Sequence, residues 1–292
     1  MPRGPITDNV LRAVKRAKVV NLFAYREGAR RAQELQATLR STEHVDGLHP
    51  VHAYWSFVQH HLSFFSEAVV GLEEASRFRR LIEAAEEEYV PQGPPMSPLT
   101  GTYFFGWAYC DLAVGLAKER AGACAVDVVA ELEVDPALVT PMRALVDSRM
   151  GLWTVMGHAA GTTILREEVT GDTVECVVPA GHPGGLGERW FVRVLPSPRE
   201  GLPGLVFNTP YVLVSPAAEW EAYLNRTLPK LDAKRLDRAY VTLMKHGLSA
   251  RYWPEFVFEG CLNHTSGCVL LLGLPDVDGS RPHGKGLSLI HI

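Results

Sequence analysis

The most constraining feature of this chain is a change of hydrophobic period near residue 160. Before it, apolar residues recur about every 3.6 positions, the spacing of one helix face. After Gly161 they alternate with a period of about 2, the spacing of a half-buried strand. No single regular element satisfies both patterns, so helices and strands are segregated along the chain. The expected class is α+β. A mainly helical domain would span 1–160, and a small antiparallel β meander or barrel 161–215. A C-terminal helical segment with a short strand would occupy 216–286.

In the helical part, Thr7 or Asp8 can cap a first helix carrying Val10, Leu11 and Val14. A second helix is expected over 21–39, with Leu22, Phe23, Leu35 and Leu39 on its buried side. Pro50 suits a first helical turn, which makes His49 an N-cap. Behind it, Val51, Tyr54, Val58, Leu62, Phe65, Val69 and Leu72 keep helical register. The run Pro91–Pro98 stops any helix. Further helices are expected over 99–119, 124–133 and 136–156, with His158–Gly161 as a short hinge.

Strands are expected over 162–169, 173–178, 188–195 and 205–214, and a buried one over 268–272. Helices at 216–228 and 232–246 are separated by Pro229. The β segment resembles small β-domains that follow helical regions in some uncharacterised bacterial proteins, a resemblance that implies no activity. The last six residues, Leu287–Ile292, resemble a translated transposase mosaic end. They are expected to be a sequencing-adapter artefact on a truncated, metagenomic fragment whose native sequence is readable to about Gly286.

Composition bounds the function classes. With 47% hydrophobic and 21% charged residues over 292 positions, the chain can bury a core. A net charge of −4 gives no general attraction to nucleic acid or anionic membrane. Residues 1–40 hold nine basic and three acidic residues, and 41–90 the reverse. Complementary helical faces explain this asymmetry, with a nucleic-acid arm as the weaker alternative. Arg outnumbers Lys by 22 to 7, the bias of a GC-rich bacterial genome. Five cysteines and no secretory signal point to reduced thiols in a cytoplasm. The apolar run Tyr103–Ala117 contains Asp111 and is too short for a bilayer, so no membrane partner is expected.

Two clusters could carry metal chemistry; the cofactor is left open, with zinc one candidate beside plain buried thiols. His49, His52, Ser56, His60, Ser63 and Glu67 share an arc of about 80° on the long helix, a face free of Lys and Arg. A polar seam between helices is the simplest account. As metal ligands His49, His52, His60 and Glu67 are poorly spaced, since His52 and His60 are about 12 Å apart along the axis. Glu73, Asp111 or Asp147 would have to complete such a site. The second cluster is Cys261, His264 and Cys268, good zinc ligands that lack a fourth, for which His246 and His283 stand nearest.

The glycine-rich loop Gly181–Gly187 leads into a strand rather than a helix and lacks the P-loop Lys-Ser/Thr, so it reads as a hairpin loop. Nucleophile-elbow motifs do not occur. The chain therefore reads as a bacterial cytoplasmic, non-enzymatic binding or interaction module, with an unidentified protein or small molecule as partner. The alternative is a metalloprotein or enzyme using the His49–Glu67 face.

Overall fold

The computed structural model describes residues 3–17, 48–90, 99–133, 136–260 and 267–277. The expected helix over 21–39 and the tail from Gly284 lie outside them, as do Cys261, His264 and His283. The chain divides into two compact units. One takes residues up to 92, 104–148 and 195–205; the other takes 93–103, 149–194 and 206 onward. Nine α-helices and seven strands occur among the described residues.

In the first unit lie α1 (Pro5–Ala17), α2 (Pro50–Val70), α3 (Ser76–Tyr89), α5 (Ala121–Glu131) and α6 (Pro136–Asp147). It also receives the C-terminal end of α4 (Leu99–Phe105), which continues as a π-helical turn over Gly106–Asp111. α2 buries Val51, Tyr54, Val58, Leu62, Phe65 and Val69, the apolar face the sequence defines. It packs on α5 and α6. α5 in turn meets the π-helical turn closely: a Cβ on Gly122 would stand 2.7 Å from the Tyr109 carbonyl oxygen.

Two buried charged side chains join segments distant in sequence. Glu119 accepts from the backbone N–H groups of Thr7 (2.8 Å) and Ile6 (3.2 Å), capping α1 at its positive end. Arg120 donates to the carbonyls of Val146 (2.8 Å) and Cys110 (3.2 Å) and pairs with Asp147 (2.9 Å). A cation there closes the C-terminal ends of α6 and the π turn.

The second unit holds β1 (Met150–Ala159), β2 (Thr162–Glu167), β3 (Thr173–Val177), β6 (Tyr211–Leu213), β7 (Val269–Leu271) and nearly all of β4 (Arg189–Leu195). The short strand β5 (Gly204–Val206) completes the sheet. Strand order is β1-β2-β3-β5-β4-β6-β7, and pairing of β1 with β4 closes the first five into a barrel. β5 sits between β3 and β4, so the order is not that of a plain meander. Trp153, Val155, Leu165, Cys176, Trp190 and Val192 fill the interior. β7 pairs parallel with β6. α7 (Ala217–Asp232), α8 (Leu236–His246) and α9 (Tyr252–Gly260) follow the barrel strands in sequence. Trp253 of α9 lies against Phe191 of β4 at 4.6 Å between ring centroids.

Five sequence expectations are corrected at the level of elements. The helix expected over 136–156 stops at Asp147, and β1 starts at Met150. Tertiary packing decides this, because the Gly151 Cα lies beneath the Glu167 and Trp153 side chains. A Cβ there would stand 2.5 Å from Glu167 Oε1 and 2.6 Å from Trp153 Nε1. The hinge at 158–161 is the β1–β2 hairpin turn, with Ala160 and Gly161 at φ of 46° and 87°. Two positive φ values match the strand twist, but an alanine in the first position hides the signal. The strand expected over 205–214 is broken into β5 and β6. Asn208 substitutes for ladder bonds there, accepting from Arg193 N and donating to Thr209 O, each at 2.7 Å. Finally, the helix expected over 99–119 stays helical only to Asp111, and α7 runs through Pro229, which sits in its last turn.

Candidate functional site at the barrel mouth

Besides the Arg189–Glu168 pair, which Thr154 joins, polar side chains gather at two places on the barrel. The first is a buried ion pair where β1 and β2 meet. Glu167, 2% exposed, accepts from Arg149 at 2.6 and 2.9 Å. It also accepts from Thr170 Oγ1 (2.7 Å) and the Tyr240 hydroxyl (3.2 Å). The same hydroxyl receives the Leu152 N–H at 3.0 Å, and the Arg149 guanidinium lies 5.0 Å from the Tyr240 ring centroid. Every oxygen of this carboxylate is engaged, so the cluster holds structure together rather than presenting a reactive group. Trp153 Nε1, buried beside it, has no hydrogen-bond partner.

The second is at the glycine-rich loop, where the strand lattice opens. Glu188 Oε1 lies 2.6 Å from His182 Nε2 and accepts from Trp190 Nε1, also at 2.6 Å. Its other oxygen accepts weakly from Gly185 N at 3.5 Å. Trp190 is fully buried and belongs to the barrel core. Gly184, at φ 75°, presses its backbone onto the Trp190 ring; any Cβ would collide with it. Pro183 O accepts from Thr163 Oγ1 (3.3 Å), and Gly267 lies against Ala180 and His182.

A β-bulge between Val155 and Gly157 borders this loop. Bulges re-aim side chains at barrel rims. Val155 is bonded to Glu188 O and Gly187 N, both at 2.9 Å, so the bulge and the loop lie side by side. Met156 and Leu186, flanking those bonds, are 45% and 75% exposed.

Burial works to raise the Glu188 pKa. The hydrogen bonds from Trp190 and His182, the His182 charge and the Gly185 N–H outweigh it and hold this carboxyl below the ordinary range. A carboxylate with a depressed folded pKa stabilises the fold above its unfolded pKa of about 4.3, and that contribution vanishes as pH falls through the folded value. Urea unfolding of Glu188→Gln should therefore differ from the parent chain at pH 7, with the difference shrinking below about pH 4. An equal difference at pH 3 and 7 would refute this.

The sequence-derived candidates fare differently. His49 does cap α2, its Nδ1 accepting from Val51 N at 3.2 Å. His52 is half-buried, and burial followed by the nearby His49 lowers its pKa. His60 and Glu67 are exposed, while Ser56 and Ser63 are half-buried. Ser63 donates to Glu67 at 3.3 Å. Glu67 also faces Tyr109, whose hydroxyl is pushed up to about 12 by burial, then by Glu67 and Glu86. Of the proposed completing ligands, Glu73 pairs with Arg79 and Asp147 with Arg120. Asp111 is buried. Among the described residues, no three His, Cys, Asp or Glu side chains are grouped to hold a metal ion. Cys268 is buried in the barrel core, in one cluster with Cys176.

The sequence reading missed His182, Glu188 and Trp190 as a unit. A usable signal existed: Glu188 and Trp190 are two apart at a strand start, which puts them on one face. No protein-family model, curated protein or solved structure matches this chain.

Proposed function

We propose that this chain is a bacterial cytoplasmic, non-enzymatic binding module whose contact surface is the barrel mouth. The observation that carries this reading is the exposed pair Met156 and Leu186, held on a bulge and an adjoining loop over a closed, filled barrel. Large apolar side chains fixed in an exposed position favour an interaction role. The engagement of Glu167, Glu119 and Arg120 in internal bonds supports the same reading, since these buried charges serve the fold. The partner presents an apolar side chain or ring.

A fragment and peptide screen followed by amide shifts tests it. Shifts should cluster on residues 155–158 and 182–187 and disappear in a Met156→Asp/Leu186→Asp variant that keeps its fold. Shifts confined to α2, or turnover of a bound compound, would overturn it.

A metal-dependent function through His49, His52, His60 and Glu67 is the second reading. It is favoured by the position of His49 within electrostatic reach of the half-buried His52. Zinc at Cys261, His264 and Cys268 belongs with it. Metal analysis of the purified chain decides: stoichiometric metal, lost in His60→Ala/Glu67→Ala or in Cys261→Ser/His264→Ala, would replace the first reading. A nucleic-acid arm is the weakest alternative, because Arg3 pairs with Asp127 and Lys15 with Glu131. Binding that falls steeply with salt would revive it.

A further inference from the structure

We propose that the loop Gly181–Gly187 is a hinged lid over the barrel interior, latched closed by Glu188 between His182 and Trp190. The two ends of the loop are anchored. Gly181 N donates to Val178 O at 3.1 Å, and Gly187 N to Val155 O at 2.9 Å. Both anchor glycines have positive φ, 76° and 79°, where the backbone can turn without a Cβ penalty. Hinges need a few positions that absorb φ/ψ change, and these two sit at the loop's ends.

Between the anchors, besides the turn bond from Glu188 N to Gly185 O at 2.9 Å, three bonds to side chains hold the loop among the described residues. His182 bonds to Glu188, Gly185 N reaches it weakly, and Pro183 O accepts from Thr163. Glu188 takes part in two of those three, and Trp190 Nε1 fixes its carboxylate from below. Glu188 therefore makes most of the side-chain bonds that hold the lid, and Thr163 makes the other.

What the lid covers is apolar. Gly184 abuts the Trp190 indole, where any Cβ would collide with the ring. Thr163, beneath Pro183, is the cross-strand partner of Cys176, which is fully buried in the core. Opening would expose part of the Trp190 indole and a thiol, a surface suited to an apolar ligand. This holds whether or not Met156 and Leu186 bind a partner.

Thiol labelling of the full chain tests the lid. Both Cys176 and Cys124 are fully buried, and burial pushes each thiol up to about 12, so neither should label without an opening of the structure around it. Cys124 lies in the first unit, far in sequence from the loop, and is the control for that unit, while the urea transition of each variant is the control for the barrel. The chain is treated with 5,5′-dithiobis(2-nitrobenzoate), and modified peptides are identified by mass spectrometry. In Glu188→Ala, Cys176 should react about tenfold faster or more than in the parent chain, with Cys124 unchanged. Glu188→Gln, which keeps an acceptor, should fall between. His182→Ala, which leaves the Trp190 bond intact, covers the case in which Glu188→Ala does not fold. Acceleration of both cysteines together, or acceleration of Cys176 that only tracks a loss of barrel stability in urea, would mark unfolding and overturn the proposal. So would an unchanged Cys176 in these variants.

Discussion

Arg149→Ala is expected to destabilise the chain by about 3–5 kcal/mol, the range for removing one partner of a buried ion pair. The asymmetry of the pair sets the expectation. Glu167 is 2% exposed, whereas the Arg149 side chain is 20% exposed. Taking away the cation leaves a carboxylate with no route to water and only Tyr240 and Thr170 as donors. Taking away the carboxylate leaves a guanidinium with a long stem that can turn toward solvent. Glu167→Ala should therefore cost less than Arg149→Ala.

Because desolvation opposes the pair, an apolar double replacement such as Arg149→Met/Glu167→Leu should recover much of the loss. Urea unfolding followed by tryptophan fluorescence and far-ultraviolet dichroism reads all of these. Equal losses for the two single variants, or a fully additive double variant, would mean that the pair is not the coupled buried unit described here. With two units in the chain, the transition assigned to the barrel is the one to compare.

What was legible in the sequence followed from period and punctuation. α2 shows its buried face at the expected positions because Val51 through Val69 repeat at helical spacing over many turns and Pro50 marks the start. β2, β3 and β4 were legible because their alternation is bounded by Gly171 and the Gly-rich loop. β1 was not, because Met150–Val155 is apolar at spacings that fit a helix as well as a strand; only contacts with Glu167 and Trp190 settle it. The hairpin at Ala160–Gly161 escaped for the opposite reason, since alanine is a poor marker of a left-handed turn residue.

The candidate site was harder still. The α2 stripe attracted notice because its polar residues are regular in sequence. His182, Glu188 and Trp190 are irregular in sequence and meet only through a turn at Gly184 and the closing of the barrel. Regular spacing reports on elements, while sites assembled by loops have no period to report.

Trp190→Ala is the second large effect, expected at about 3–5 kcal/mol. The ring is fully buried, in the same core cluster as Val155 and Cys176, and its edge carries the Gly184 backbone. Alanine would leave a cavity that strands paired on both sides cannot close, because β4 is bonded to β1 and β6. Trp190→Phe separates packing from hydrogen bonding. It keeps most of the ring volume but removes the N–H that Glu188 Oε1 accepts, at a cost of about 1–2 kcal/mol. The two variants should also part company at the lid. In Trp190→Phe the barrel stays filled while the latch loses its lower anchor, so Cys176 should label faster even though stability falls little. If Trp190→Phe lost as much stability as Trp190→Ala, the indole N–H would be a structural necessity of the barrel rather than one side of a latch. Stability and labelling read on the same two proteins therefore distinguish a core tryptophan that happens to touch Glu188 from one that holds the carboxylate in place.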